Sequence, residues 1–370
     1  MREGKEVQRL KGRVLVAGFA TRHVVCSARK AGYEVHAIDA FCDQDLHWNT
    51  KTCKIFEDLD SLPGQIEESC REVSPDILVV TSGAEDIAVS KKISGNCREK
   101  AGIFTDKKSI QDFFEENSIR VPSVPAAGVY PAMLKPCKGA GGWRNTIVNS
   151  PEEENDFCSL WPETPYIRQE VVEGTPCSVS CIASGGKAKA ISVNLQYLRG
   201  GSGERAFGFA GAATPFESEK KADLIREAER IASLTGCTGS VGIDFILAGE
   251  EIYAIEVNPR FQATLDIIEM STGFNIFEAH INACSGILPE TTPKSKKVVA
   301  RSIIFADRDL QVKDDLKKLY PKVADIPWKG EEIEEGSAII SVYGEGSSLP
   351  KAETSLDKTI KELARYISRW

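Results

Sequence analysis

Short apolar runs alternate with amphipathic segments at the start of the chain. The runs VLVAGF (14–19) and DILVVTS (76–82) predict buried strands, and YEVHAID (33–39) alternates as a further strand. The segments 22–31 and 64–73, which lie between these strands, have the spacing of helices. This order predicts an α/β lobe with a parallel sheet and right-handed crossovers.

The remainder of the chain mixes both kinds of element. Helical spacing recurs in four segments, at 106–118, 217–236, 273–286 and 354–369. The segment 130–193 has a strand-like pattern interrupted by Gly-rich turns. Two strands, 241–247 and 251–257, flank an Ala-Gly-Glu turn and predict a hairpin. The polar, lysine-rich segment 291–297 predicts a linker, and the β-rich end of the chain follows it.

Length and charge narrow the classes of protein. The chain has 370 residues, which predicts two or three lobes, and 42% of them are apolar. The formal net charge of -8 makes nucleic acid an unexpected partner, because an acidic chain has no general attraction to phosphate backbones. No apolar run reaches the roughly 20 residues that span a bilayer, so no membrane association is expected.

The N-terminus and the cysteines indicate the compartment. The first residues, MREGKEVQRLKGR, are polar and lack the apolar core of a secretory signal. Eleven cysteines are scattered without a C-x-x-C pair, and Cys177 and Cys181 lie four apart in a predicted strand. We therefore expect reduced, buried thiols and a cytoplasmic location.

The first lobe could be mistaken for a dinucleotide-binding fold. Asp39 ends the second predicted strand, where a ribose-binding carboxylate would lie. The turn after the first strand, Gly18 to His23, lacks the second and third glycines of G-x-G-x-x-G, so its backbone could not approach a pyrophosphate closely. A Rossmann-like lobe without a dinucleotide is the favoured interpretation.

A lysine and a glycine-rich loop form the first candidate site. In MLKPCKGAGGWRN (133–145) an apolar strand leads to Lys135, and Gly139, Gly141 and Gly142 follow. Such a loop exposes backbone N–H groups and can cover phosphates, to which a nearby lysine adds a positive charge. A flexible hairpin turn is the competing interpretation.

The predicted hairpin carries the second candidate site. Asp244 lies on its first strand, and Glu256 and Asn258 project to one face of the second strand. Two carboxylates in apolar strands repel each other unless a cation lies between them, and carboxylate and amide oxygens suit Mg²⁺. Arg260 follows two positions later and could hold a phosphoryl group or an oxyanion. Solvated acids on an outer face remain the alternative.

A third, weaker signal is YIRQEVVEGT (166–175). A strand ends at Gln169-Glu170, and Glu173 and Gly174 follow an apolar pair. The edge of this strand could offer backbone groups to a purine, and Glu170 or Glu173 could bind ribose hydroxyls or the exocyclic amine.

Together these motifs resemble the ATP-grasp superfamily, and within it the archaeal-type ATP-dependent carboligases. The resemblance implies an α/β (α+β) fold with a Rossmann-like pre-ATP-grasp domain (1–104), an ATP-grasp domain (105–290, with a lid at 105–173 and a nucleotide and metal lobe at 174–290) and a β-rich C-terminal domain (291–370). It implies sites for ATP and for Mg²⁺ (or Mn²⁺). The expected ATP-binding residues are Lys107, Lys135, Gly139, Gly141, Gly142, Gln169, Glu170, Val172 and Glu173. The expected metal ligands are Asp244, Glu256 and Asn258, and the expected catalytic residues are Arg260 and Lys135.

The resemblance also implies an activity. A substrate carboxylate would take the γ-phosphate of ATP, and an amine would attack the resulting acyl phosphate. The expected partners are a small-molecule carboxylate and amine, and family members are often homodimers. The segment 325–346 is similar to the end of the purine-pathway carboxylase subunit, which leaves a bicarbonate-dependent carboxylase as an alternative. A dinucleotide-dependent oxidoreductase and a non-catalytic nucleotide-binding protein are alternatives of other classes.

Two departures from the family pattern bear on substrates. Thr175-Pro176-Cys177 stands where many members carry an acidic ribose ligand, so Glu173 is only a substitute. Gly242 replaces the arginine of D-alanine ligase-like members, which argues against that substrate. The segment 194–216 predicts a mobile loop whose Arg199 and Arg205 could meet an anionic substrate.

Overall fold

The computed structural model describes residues 10–96, 98–139, 141–201 and 203–370. Most of the polar N-terminal segment, on which the absence of a secretory signal was judged, lies outside the described residues. Within the described part of the chain, no helix has the length and apolar character needed to cross a membrane.

The first lobe is a parallel sheet flanked by helices. Its strands are Arg13–Ala17 (β1), Glu34–Asp39 (β2), Thr52–Ile55 (β3) and Ile77–Val80 (β4), in the order β3-β2-β1-β4. Its helices are Arg22–Lys30 (α1), Gln44–His47 (α2), Leu62–Val73 (α3) and Arg98–Ala101 (α4). The strands are parallel and largely buried, which agrees with the predicted α/β lobe.

A small second sheet follows. A 3₁₀ turn (Gly102–Thr105) leads into α5 (Lys107–Glu116), whose first turn is capped by the Asp106 carboxylate. The later elements are Ala132–Pro136 (β5), Thr146–Val148 (β6), Pro151–Leu160 (α6) and Tyr166–Glu170 (β7). The strands form an antiparallel sheet in the order β6-β5-β7, and β5 carries Lys135.

The largest sheet has eight antiparallel strands. Its elements up to residue 284 are Thr175–Ser184 (β8), Lys187–Leu198 (β9), Phe209–Thr214 (β10), Lys221–Leu234 (α7), Gly239–Ala248 (β11), Glu251–Asn258 (β12), Leu265–Thr272 (α8) and Ile276–Cys284 (α9). Its first five strands lie in the order β12-β11-β8-β9-β10, and three strands of the C-terminal region complete the sheet. The predicted hairpin is β11–β12, and α7 packs on the sheet through Leu224, Ala228 and Ile231.

The C-terminal region extends this sheet. Its elements are Val298–Phe305 (β13), Leu310–Gln311 (β14), Val323–Ala324 (β15), Glu332–Ile333 (β16), Ala338–Gly346 (β17) and Leu349–Ile367 (α10), with a 3₁₀ turn at Leu316–Leu319. Because β13 pairs with β10, the β-rich end is continuous with the sheet of the middle region. Periodicity along the chain does not specify which strands pair, so the sequence did not indicate this continuity.

Two of the elements that the sequence did not indicate are very short. The helix α2 and the strand β3 have four residues each. A segment of this length contains too few turns or alternations to establish a period.

One prediction about the cysteines is wrong. Cys42, after β2, forms a disulfide with Cys53 on β3. The free thiols among the described residues include Cys26, Cys70, Cys137, Cys158, Cys177, Cys181 and Cys284, and Cys97 lies outside the described residues. The two bonded residues are 11 apart in sequence and meet only because β2 and β3 pair in parallel.

Buried charges join the three parts of the chain. The Arg22 guanidinium of α1 lies 2.7 Å from Asp325 Oδ1 and 2.9 Å from Asp266 Oδ2. Arg301 of β13 contacts the same two acids, at 3.1 Å from Asp325 and 3.5 Å from Asp266. Tyr343 donates its hydroxyl to Asp266. These side chains come from the first lobe, the middle region and the C-terminal strands, so the cluster fixes their relative positions.

A buried histidine makes a second connection between the lobes. His280 of α9 accepts a hydrogen bond from Ser240 N at its Nδ1 (2.9 Å), so its Nε2 carries the proton that it donates to Ser94 O (2.8 Å). Phe261 stacks on the ring at 4.4 Å. Burial lowers the pKa of His280 to about 4.

The neutral state of His280 predicts a loss of stability in weak acid. The unfolded histidine has a pKa of about 6.5, so below that pH the unfolded chain binds the proton that the folded chain excludes. The stability that the folded protein gains by keeping His280 neutral is present above pH 6.5 and is lost as the pH falls toward 4. Urea denaturation should show a loss of about 2 kcal/mol from this group between pH 7 and pH 5.

The variant His280→Asn should remove this part of the pH dependence, and His47→Asn, at an exposed histidine, should retain it. An unchanged pH slope in His280→Asn would contradict the assignment.

Candidate active site

Two acids face each other across the β11–β12 hairpin. Asp244 and Glu256 are direct partners in the strand register. Asp244 accepts hydrogen bonds from Asn258 Nδ2 (3.0 Å) and from Gln196 Nε2 of β9 (3.0 Å). The structure therefore brings together the three side chains that the sequence analysis proposed as metal ligands.

The electrostatics of the hairpin suit a bound cation. Burial, together with the nearby Glu256 carboxylate, raises the pKa of Asp244 to about 7. A cation beside both acids would offset the cost of burying the Asp244 charge and the repulsion between the two carboxylates. The Asn258 amide nitrogen faces Asp244 and its oxygen faces Arg260 NH2. A half-turn of this amide would direct its oxygen toward the acids, so the donor set fits Mg²⁺.

A buried lysine lines the same cavity as Glu256. Lys135 is 9% exposed, and burial lowers its pKa to about 8, against the opposing effect of Glu256. The desolvated ammonium group lacks full compensation from the protein, which is the environment expected for a ligand with negative charge.

The cavity between the small sheet and the hairpin collects polar groups from distant segments. Its polar lining consists of Lys107, Gln111, Lys135, Asn145, Gln169 and Glu256. Ile110, Val121 and Ile255 form an apolar part, and Gly142 contributes from the glycine-rich loop. An apolar slot beside lysines and an acid has the composition of a nucleotide site.

The glycine-rich loop packs against the segment 199–208. Lys107 Nζ donates to Gly139 O at 2.9 Å, and Phe209 N donates to Gly141 O at 3.2 Å. Gly142 has φ +74, and a Cβ at this position would overlap the carbonyl of Phe207. The loop therefore requires glycine at Gly142 for both conformation and space.

The nucleotide-binding residues predicted at 169–173 do not all line the cavity. Gln169 is buried and donates to Gln111 Oε1 at 2.6 Å, and its own Oε1 has no partner among the described residues. Glu170 instead accepts from Ser123 N at 2.9 Å. Glu170, Val172 and Glu173 are not among the residues that line the cavity. The structure therefore places Gln169 in the cavity, Glu170 at the end of β7 outside the cavity lining, and Val172 and Glu173 in the connection to β8.

Arg260 is held beside the acids by a residue that the sequence analysis missed. Its NH2 donates to Asn258 Oδ1 at 2.9 Å, and its Nε donates to Glu85 Oε1 at 2.6 Å. Glu85 lies in the loop after β4, in the first lobe. Nothing in the local pattern links two residues 175 positions apart.

The predicted role of Arg199 and Arg205 in substrate binding differs from their observed contacts. Arg199 NH1 donates to Gly336 O at 3.0 Å and stacks over Phe305, and Arg205 NH1 donates to Glu335 O at 3.4 Å. Both guanidinium groups therefore contact the C-terminal region. Much of the predicted mobile loop belongs to β9 and β10.

Asp39 is not available to a ribose. Its Oδ2 accepts from the backbone and hydroxyl of Thr21, and its Oδ1 accepts from Phe41 N and Cys42 N. Both oxygens thus stabilise the turns of its own lobe, and this weighs against the dinucleotide interpretation.

Other residues of the cavity were also missed. Gln111 follows Lys107 by one helical turn, so the helical period of 106–118 could have placed both on one face. Gln196 of β9 lies close to Asp244 of β11 only because both strands pair with β8.

A comparison with known families agrees with this geometry. Residues 104–264 match the family model described as an ATP-grasp domain. The chain therefore contains an ATP-grasp domain, and the predictions of an ATP-grasp fold and of an ATP-dependent ligase are confirmed.

Two curated relatives share sequence with this chain. An uncharacterised protein of Methanocaldococcus jannaschii is 24% identical over 96% of this chain and 93% of its own length. A tyramine–L-glutamate ligase of Methanocaldococcus fervens is 37% identical over 101 residues, which are 27% of this chain and 32% of that protein.

Solved structures share the fold. A biotin carboxylase from Campylobacter jejuni aligns with a TM-score of 0.74 and 16% identity, covering 95% of this chain and 92% of that chain. An L-amino acid ligase from Bacillus licheniformis aligns with a TM-score of 0.71 and 15% identity, covering 95% and 97%. At these identities the likeness concerns the fold alone.

Proposed function

We propose that the protein is an ATP-dependent carboxylate–amine ligase. The observation that carries this proposal is one cavity lined by a desolvated lysine, Lys135, and by Glu256, whose strand partner is the buried acid Asp244. A lysine whose charge is only partly compensated and two acids that repel each other are complementary to a metal-bound triphosphate.

Each part of the cavity has a proposed partner in ATP. Lys107 and Lys135 neutralise phosphate oxygens, and the backbone N–H groups around Gly139, Gly141 and Gly142 cover them. The unpartnered Oε1 of Gln169 accepts from the adenine amino group. Glu170 and Val172 shape the hinge beside the base, and Glu173 remains the proposed ribose ligand. Asp244, Glu256 and Asn258 hold Mg²⁺ (or Mn²⁺), which lowers the charge repulsion between ATP and the attacking carboxylate.

The proposed reaction has two steps. A substrate carboxylate oxygen attacks the γ-phosphorus, the bond to the β-phosphate oxygen breaks, and ADP leaves with that electron pair. A neutral amine then attacks the acyl carbon, phosphate leaves with the electrons of the C–O bond, and the nitrogen loses a proton. Arg260, oriented by Glu85, stabilises the charge on the acyl oxygen.

The relatives support an amine as nucleophile. Two of them, a tyramine–L-glutamate ligase and an L-amino acid ligase, are ligases of amino compounds. The biotin carboxylase supports the bicarbonate-dependent alternative. ADP release that requires bicarbonate and no amine would select that alternative.

Hydroxylamine trapping tests the proposal. Purified protein is incubated with ATP, Mg²⁺ and single carboxylates from a panel, with hydroxylamine as the nucleophile. We expect ADP and an acyl hydroxamate in equal amounts for the correct carboxylate. Lys135→Ala should abolish both products, and Lys138→Ala, three residues further on at an exposed position, should retain them. Hydroxamate formation that persists in Lys135→Ala would refute the site.

A further inference from the structure

A small crevice beside Arg260 is lined by Val80 at the carboxyl end of β4, by Glu85 and by Asn96. The end of β4 lies beside the end of β1. These strands are neighbours in the sheet, and the chain leaves them toward opposite sides because the strand order is β3-β2-β1-β4. Ligands of open α/β sheets bind at such a switch point. The two loops are joined there by a hydrogen bond from Phe19 N to Ser82 O (2.7 Å). A Cβ at Gly18 would overlap Thr81, which shows how closely the loops pack.

Glu85 lies in this crevice with half of its carboxylate unused. Its Oε1 accepts from Arg260 Nε, and its side chain is only 15% exposed. Its Oε2 has no hydrogen-bond partner among the residues that the structure describes. A partly buried carboxylate oxygen without a donor favours a bound cation or a charged donor from a ligand.

Two neighbouring polar side chains of the crevice are already satisfied. Asn96 donates to Ser240 O and Pro259 O and accepts from Thr238 N. His280 uses both ring nitrogens. Glu85 Oε2 is therefore a carboxylate oxygen of this crevice that can still accept from a ligand, and the hydroxyl of Thr81 at the end of β4 is also without a partner among the described residues. An ammonium group is a suitable donor to that oxygen.

Exposed apolar side chains lie outside the crevice lining, against the loop that carries Glu85. Phe19 and Phe41 are 47% and 41% exposed and pack edge to face at 5.1 Å. Leu59 is 46% exposed, and both Leu59 and Phe19 adjoin Gly83, two residues before Glu85. Large apolar side chains that remain exposed together at a switch point form a surface for an apolar ligand.

We propose that Glu85, Phe19 and Phe41 form the acceptor subsite, which binds a primary ammonium compound with an aromatic or branched apolar body. The ammonium group donates to Glu85 Oε2, beside Arg260, and passes one proton to that oxygen before its nitrogen attacks the acyl carbon as the neutral amine. The apolar body lies on the two phenylalanines. This assignment rests on the proposed ligase function, because it supplies the nucleophile of the second step.

Binding of matched probes tests the subsite without knowledge of the carboxylate. Isothermal titration is performed with 2-phenylethylamine, its neutral analogue 2-phenylethanol and the small amine ethylamine, each with ATP and Mg²⁺ present. We expect 2-phenylethylamine to bind at least about fivefold more tightly than either other probe. Glu85→Gln should remove the preference over the alcohol, and Phe19→Ala should remove the preference over ethylamine. Asp86→Asn, at the exposed adjacent acid, should retain both preferences.

A kinetic ratio separates failure of the subsite from failure of the ligase proposal. Hydroxylamine is uncharged at neutral pH, so hydroxamate formation reports activation without ammonium recognition. Glu85→Gln should reduce amide formation from 2-phenylethylamine at least about fivefold more than it reduces hydroxamate formation. Equal losses, or equal binding of amine and alcohol by the unaltered protein, would overturn the subsite. Absence of hydroxamate with every carboxylate would instead refute the proposed function. In that case the binding of the amine and the alcohol to the unaltered protein would still test the subsite.

Discussion

Replacement of Glu256 by glutamine is expected to lower the rate of ADP release at least about 100-fold. Glu256 is the direct strand partner of Asp244, and both acids belong to the proposed magnesium site. A metal in such a site supplies several kcal/mol of charge stabilisation, and each loss of about 1.4 kcal/mol slows the reaction tenfold. Glutamine keeps the size of the side chain and removes its charge, so the fold should be retained.

The measurement is a coupled ADP assay across a range of Mg²⁺ concentrations. Glu251→Gln is the matched control, since Glu251 lies on the same strand, is exposed and contacts Arg120 and Tyr253 at the surface. We expect this control to stay within twofold of the unaltered protein, because exposed ion pairs contribute about 1 kcal/mol or less. A rate for Glu256→Gln within threefold of the unaltered protein would remove Glu256 from the site.

Replacement of Arg22 by alanine is expected to reduce the free energy of unfolding by about 3–5 kcal/mol. Arg22 lies within 3 Å of both Asp266 and Asp325, and its Nε is 3.6 Å from Asp45. Its removal leaves three largely buried carboxylates with Arg301 as their remaining cation in the cluster. Uncompensated buried charge is more costly than the loss of the contacts themselves.

Urea denaturation at pH 7 measures this effect. Arg29→Ala removes an exposed arginine from the same helix and should change the free energy of unfolding by less than about 0.5 kcal/mol. A double-mutant cycle of Arg22→Ala with Asp325→Ala should show a coupling energy above about 1 kcal/mol. Independent effects of the two substitutions, or a loss below about 1 kcal/mol in Arg22→Ala, would contradict the role of the cluster.

The candidate site was predictable where its residues are close in sequence. Glu256 and Asn258 share a strand face because side chains alternate with period two, and the short turn at 249–250 returns the chain so that Glu256 faces Asp244. Lys135 belongs to the apolar strand β5, which places it in the cavity. These relations depend on local geometry, which periodicity and turn residues report.

Contacts between distant segments were not predictable in this way. Glu85 reaches Arg260 across 175 positions, and Arg22 reaches Asp325 across 303. The Cys42–Cys53 disulfide likewise depends on the parallel pairing of β2 with β3, and the prediction of free thiols failed there. In each case the two partners belong to elements whose neighbours are chosen by packing.

The sequence by itself determined the elements that have a clear period, the hairpin acids and the phosphate loop, and through their order the class of protein. The tertiary structure decided which nucleotide residues line the cavity, the pairing of β10 with β13 that makes one sheet of two regions, and the position of Glu85 beside Arg260. The physical reason is that hydrophobic burial and side-chain alternation act along a few residues, whereas the partner of a buried charge or a strand edge is selected by the shape of the whole folded chain.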